Sequence, residues 1–90
     1  MWTTPALVRT TWLRIRLQPD NLLAAFDHLP SDMQSDKVKT ATTLLAELGE
    51  GDELWHFRSP PETWKRRHGR DGLAIVRGGE IIKALVLMMN

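Results

Sequence analysis

The most regular hydrophobic pattern in the chain lies in its last third, between Asp52 and Met89. Leu54–Arg58 alternates, and successive side chains of a strand point to opposite faces. Trp55 and Phe57 therefore share one face, and Leu54, His56 and Arg58 the other. The bulk of Trp55 and Phe57 assigns that pair to the core. Ser59-Pro60-Pro61-Glu62 reads as a capping box: the Ser59 hydroxyl accepts from the Glu62 N–H, and the Glu62 carboxylate reaches back to the Ser59 N–H. Pro60 suits a first helical position, where a missing N–H costs nothing. The spacing predicts a short helix over Pro60–Arg67 that ends near Gly69.

Gly78-Gly79 between two apolar runs signals a two-residue β-hairpin. The implied register pairs Arg77 with Glu80 as a cross-strand ion pair, Val76 with Ile81, Ile75 with Ile82, and Ala74 with Lys83. It sets Leu73, Ile75, Ile82, Ala84, Val86 and Met88 on one face. Ala74, Val76, Ile81, Leu85 and Leu87 fall on the other, where Lys83 is the single charge. An antiparallel sheet with one wet face alternates apolar and polar positions. This hairpin does not, so both faces are expected to be covered. The Pro60–Arg67 helix and its neighbours would cover one. The N-terminal half or a second copy of the chain would cover the other.

Upstream, Met1–Pro5 is expected to fray. Ala6–Leu17 fits two periods: Leu13, Ile15 and Leu17 alternate with Trp12, Arg14 and Arg16, while Leu7, Val8, Thr11, Trp12 and Ile15 fit a helix. The β-favouring Thr, Trp and Ile tip Thr11–Leu17 toward strand. Pro19-Asp20-Asn21 opens a helix whose stripe is Leu22, Ala25, Phe26 and Leu29, and Pro30 closes it. Ser31-Asp32-Met33-Gln34 reads as a second capping box. The helix behind it carries Met33, Val38, Ala41, Leu44, Leu45 and Leu48 and stops at Gly49. The expected fold is a single α+β domain over residues 1–90: a small, mostly antiparallel sheet with a C-terminal hairpin, two mid-chain helices and one short helix.

The block Gly51, Asp52, Leu54, Trp55, Phe57, then Ser59, Pro60, Pro61, Trp64, then Gly69, Arg70, Gly72, and the closing Asn90 resembles a group of small uncharacterised bacterial proteins. The resemblance covers the C-terminal part of the chain and implies no activity, cofactor or site.

Net charge is +1 over 90 residues, so no global field draws the chain to nucleic acid or anionic lipid. The chain has no cysteine, which removes disulfides, thiolate metal ligands and a cysteine nucleophile. Its apolar runs are too short to span a bilayer, and no signal peptide is evident, so a cytoplasmic protein is expected. The histidines lack metal-ligand spacing, and no cofactor motif is present. Ser59 does not sit in a nucleophile elbow.

Three surfaces remain. Lys65, Arg66, Arg67 and Arg70 form a basic turn that would hold an anion or nucleic acid, extended by Arg14 and Arg16 if the first strand lies beside it. The same cations equally complement a helix C-terminus, with Glu62 and Asp71 diluting them. His56 with Arg58 would bind or polarise a small ligand, although no carboxylate is placed by the sequence to orient the histidine. His28 behind Asp27 fits a helix end. Trp55 and Trp64 flank the Ser59 turn and are expected to touch in the core. Trp2 and Trp12 would either anchor a partner or cap the core. The leading expectation is a non-enzymatic protein-interaction domain, a homodimer whose interface includes Ile81, Leu85 or Leu87. The rivals are a nucleic-acid-binding accessory protein and a small enzyme or ligand binder at His56 and Arg58.

Overall fold

The computed structural model describes residues 2–3, 5–27 and 29–90, with the backbone alone for Trp2 and Pro5. His28 lies outside the described residues. Strands β1 (Trp2–Thr3), β2 (Leu13–Arg16), β3 (Asp52–Arg58), β4 (Arg70–Arg77) and β5 (Glu80–Met89) form one antiparallel sheet in the order β1-β5-β4-β3-β2. Helices α1 (Leu22–Ala25) and α2 (Ser31–Glu47) lie between β2 and β3, and α3 (Pro61–Lys65) between β3 and β4. The architecture is α+β.

Gly78 and Gly79 both take positive φ, 58° and 83°, as a tight hairpin turn matched to strand twist requires. The register starts as the sequence implies, Arg77 with Glu80 and Val76 with Ile81. It then shifts. Ile75 pairs with Lys83, Ala74 with Ala84, Leu73 with Leu85, and a second irregularity brings Asp71 opposite Met88. A bulge adds one residue to one strand and so exchanges the faces of everything beyond it. Leu85, Leu87 and Met88 consequently join Leu73 and Ile75 on the α2 side, while Ala84 and Val86 join Ala74 and Ile81 on the opposite side. The expected faces were wrong for Ala84, Leu85, Val86 and Leu87, because Gly-Gly fixes the turn and not the bulges; Ile81, before the first irregularity, and Met88, after the second, lie on the faces expected. Although Arg77 lies opposite Glu80, the expected ion pair between them does not form. The Arg77 guanidinium donates from Nε (2.6 Å) and Nη2 (3.0 Å) to the two oxygens of Asp52, the residue opposite it on β3. Those hydrogen bonds hold the Asp52 carboxyl below its ordinary range.

Both sheet faces are covered within the chain. Leu17, Leu22, Ala25, Phe26, Leu29, Ala41, Leu44, Leu54 and Leu73 form the main core. α2 follows its predicted stripe, burying Ala41 and Leu44. α1 is a single turn, shorter than expected: it begins as the sequence implies, behind Asn21, whose Oδ1 accepts the Gln18 N–H and whose Nδ2 donates to the Arg16 carbonyl, but it ends at Ala25. Phe26 and Leu29 still reach the core. On the second face Val8, Trp12 and Leu13 pack over Phe57, Ala74 and Ala84, with the Trp12 and Phe57 rings stacked 6.5 Å apart. The helix layer therefore rests on the Leu54 and His56 side of β3, not the Trp55 and Phe57 side. Phe57 is fully buried, but under the N-terminal segment, and Trp55 is half-buried. β1 stands where fraying was expected, with Met1 and Thr4 outside the described residues, and β2 takes up the strand reading over Leu13–Arg16, preceded by single 3-10 turns at Pro5–Leu7 and Thr10–Trp12.

Neither capping box forms. α2 and α3 begin behind Pro30 and Pro60, without a side-chain cap. The buried Ser59 hydroxyl turns instead to β4, accepting the Arg70 N–H (2.9 Å) and the Thr63 hydroxyl (2.6 Å). Two consequences separate these arrangements. Ser59→Ala strands the Arg70 N–H and is expected to cost about 1–3 kcal/mol. Glu62→Ala, which would also break a capping box, is expected to stay within about 0.5 kcal/mol of wild type. Chemical denaturation measures both.

Candidate functional site

β3 and β4 place His56, Arg58 and Asp71 on the face that meets α1. Arg58 and Asp71 are directly opposed across the two strands, and His56 precedes Arg58 by one full pleat. The Asp71 carboxylate bridges the other two. It accepts a hydrogen bond from His56 Nε2 at 2.9 Å on Oδ1 and one from Arg58 Nη1 at 2.9 Å on Oδ2. His56 and Asp71 are buried, their side chains 6% and 3% exposed, whereas Arg58 keeps 40%. Burial of the Asp71 carboxyl works against its charge, but the hydrogen bonds and positive charge from His56 and Arg58 prevail and hold it below its ordinary range. An ionised carboxylate only accepts, so His56 Nε2 carries the proton in this pair. The Phe26 ring meets the imidazole edge-on at 5.9 Å.

Arg58 also lies over the Trp64 ring, 4.3 Å from its centroid, a favourable cation–π placement. Trp64 donates its indole N–H to the Ser59 carbonyl, and the Trp55 indole donates to Glu53. Trp55 and Trp64 are thus both half-buried, each held by other partners, rather than stacked on one another. Gly69 fits closely beneath Trp64: a Cβ there would lie 2.1 Å from the indole. Asn90 closes this corner, accepting the Gly69 N–H and donating to the Trp64 carbonyl.

Beside the bridged triad lies an open groove of 440 Å³, lined by Arg14, Ile15, Ala24, Asp27, His56 and Arg58 among others. Ile15 is 41% exposed, and Leu23 on the neighbouring turn 72%. The orienting carboxylate missing from the sequence reading is Asp71. Its signal was present: an acid heading an apolar strand needs a partner when buried, and His56 and Arg58 sit on the preceding strand.

The basic turn is differently placed. Lys65, Arg66 and Arg67 are exposed at the C-terminus of α3, and Arg70 is half-exposed at the start of β4. Arg70 Nη1 donates to the Gly69 carbonyl. Arg16 does not extend the turn: it lies opposite Trp55 and pairs with Glu53 at 3.6 Å. α3 ends in two backbone bonds, His68 N–H to the Thr63 carbonyl and Arg67 N–H to the Trp64 carbonyl. This closure wants a left-handed residue, and Arg67 supplies it at φ 60°, not Gly69 as the sequence suggested. Arg67→Gly is therefore expected to raise stability by up to about 1 kcal/mol, seen as a higher melting temperature.

Ile81, Leu85 and Leu87 are half-buried against the chain's own two clusters. Among the described residues no group of three or more His, Asp or Glu is disposed to hold a metal, and no helix is long and apolar enough to cross a membrane. Comparison with family models, curated proteins and solved structures gives no match for this chain.

Proposed function

We propose that the protein is a non-enzymatic interaction domain that self-associates, through the groove between β2 and α1. The carrying observation is the self-complementary make-up of that groove. Its walls include the apolar Ile15 and Ala24, with exposed Leu23 beside them. It also holds two exposed charges that make no side-chain hydrogen bond or ion pair among the described residues, the cation Arg14 and the anion Asp27; the other arginine on its wall, Arg58, is engaged by Asp71. A two-fold partner presents the same patch to itself, so a contact made by one residue pair is made twice. Arg14 of one copy would meet Asp27 of the other on both sides of an apolar centre. β2 is also an edge of the sheet, where a second copy has room to approach. His56 and Asp71 support a binding role more than a catalytic one, because they are buried and engaged with each other. Ile81, Leu85 and Leu87 serve the chain's own core, so the contact proposed here lies elsewhere. The cysteine-free sequence fits a reducing compartment, and we place the protein in the cytoplasm.

Sedimentation at increasing concentration tests this. Wild type is expected to dimerise. Arg14→Asp and Asp27→Arg are each expected to shift the equilibrium to monomer, because each faces like charges across the contact, and the double variant is expected to restore the dimer. A wild type that stays monomeric throughout would refute the proposal, as would a double variant no better than the singles.

A further inference from the structure

The basic turn was expected to be diluted by its two neighbouring acids, and the structure removes one of them, Asp71, from that role. Asp71 is buried and bridges His56 and Arg58 on the α1 side of the sheet. Glu62 makes no ion pair among the described residues, although it stands one turn before Arg66. Lys65, Arg66 and Arg67 are exposed and have no side-chain partner among the described residues. Arg67 sits in a left-handed conformation that glycine adopts at no steric cost. The chain puts an arginine where a side chain lowers stability, and an outlier of this kind points toward function.

A second feature adjoins this turn. His68 and Arg70 form one wall of a groove of 200 Å³ whose other walls include Leu7, Val8, Trp12 and Val86. Trp12 is half-buried, stacked on Phe57. A largely apolar recess with an aromatic wall beside exposed, unpaired arginines joins the two components of single-strand recognition: cations that follow phosphates and an aromatic surface for a base.

We infer that this end of the molecule binds single-stranded nucleic acid, with phosphates on Lys65, Arg66 and Arg67 and a base in the groove between Trp12 and Arg70. This surface is separate from the one proposed for self-association. The near-neutral chain makes binding weak and local, so three phosphate contacts set its salt dependence.

The test is tryptophan-fluorescence titration of the full chain with an oligothymidylate across a salt series. A log–log slope of about −2 is expected for three contacts on a single strand. An abasic strand of equal length is expected to bind at least about five-fold more weakly, through the lost stacking. The Arg66→Ala/Arg67→Gly double variant is expected to reduce the slope to about −0.7. Its melting temperature should match or exceed wild type, because glycine suits position 67, so lost binding would not reflect lost folding. No binding at low salt would overturn the inference. So would a slope unchanged by the double variant, equal affinity for the abasic strand, or tighter binding to phosphatidylserine vesicles than to the oligonucleotide.

Discussion

Gly72→Ala is expected to remove most of the protein's stability, more than about 4 kcal/mol. A Cβ at Gly72 would lie 1.9 Å from the Leu85 carbonyl oxygen and 3.0 Å from the Phe57 ring. The oxygen belongs to backbone, not to a flexible side chain that swings away. Relief would require β4 and β5 to separate where they are already irregular, between Asp71 and Gly72. A domain of this size has roughly 5–10 kcal/mol of stability in total, so the loss is most of what holds it folded. Gly79→Ala is the control. Gly79 has open space around its missing Cβ but a φ of 83°, so alanine there meets only backbone strain of about 1–2 kcal/mol. The two glycines thus differ in kind: one permits a close approach, the other a turn. Far-UV circular dichroism with chemical denaturation distinguishes them. A Gly72→Ala protein that unfolds no earlier than Gly79→Ala would contradict this account of the strand contact.

The same two strands mark what sequence could and could not reveal. Alternation in Leu54–Arg58, helical spacing in α2 and the Gly78-Gly79 turn are local patterns, and each predicts its element. The β5 faces depend on bulges, and a bulge is set by how the whole strand packs. With two irregularities in β5, a register counted outward from the turn lost its parity after Val76. The capping boxes failed for a related reason. Ser59 has a local use at a helix start, but the Arg70 N–H and the Thr63 hydroxyl compete for its buried oxygen, and buried polar groups seldom go unpaired. Arg77 likewise chose Asp52 from the adjacent strand over Glu80 across the turn. In the site, His56 and Arg58 were visible as a pair, yet their meaning rests on Asp71, fifteen residues from His56 in the chain. The strand pairing that joins them is a tertiary fact.

Asp71 itself should be the most costly polar residue to remove. Asp71→Ala is expected to destabilise the protein by about 3–5 kcal/mol, because the buried His56 loses its acceptor and Arg58 its counter-charge. Asp71→Asn retains one accepting oxygen for one of them and is expected to cost less, about 1–3 kcal/mol. The difference has a pH signature. Burial disfavours the Asp71 charge, yet the bonds and charges from His56 and Arg58 hold its carboxyl below the ordinary 3.8. A carboxyl whose folded pKa is depressed stabilises the folded state fully above its unfolded pKa of about 3.9, and that contribution is lost as pH falls through the lower folded value. Wild type should therefore lose stability in acid, below about pH 4, with urea midpoints falling steadily. Asp52 is depressed in the same direction by Arg77, so Asp71→Asn should retain a shallower acid limb, and joining it to Asp52→Asn should flatten that limb further. If Asp71→Asn left the acid limb as steep as in wild type, the His56–Asp71–Arg58 bridge would not be the stabilising charge cluster its geometry describes.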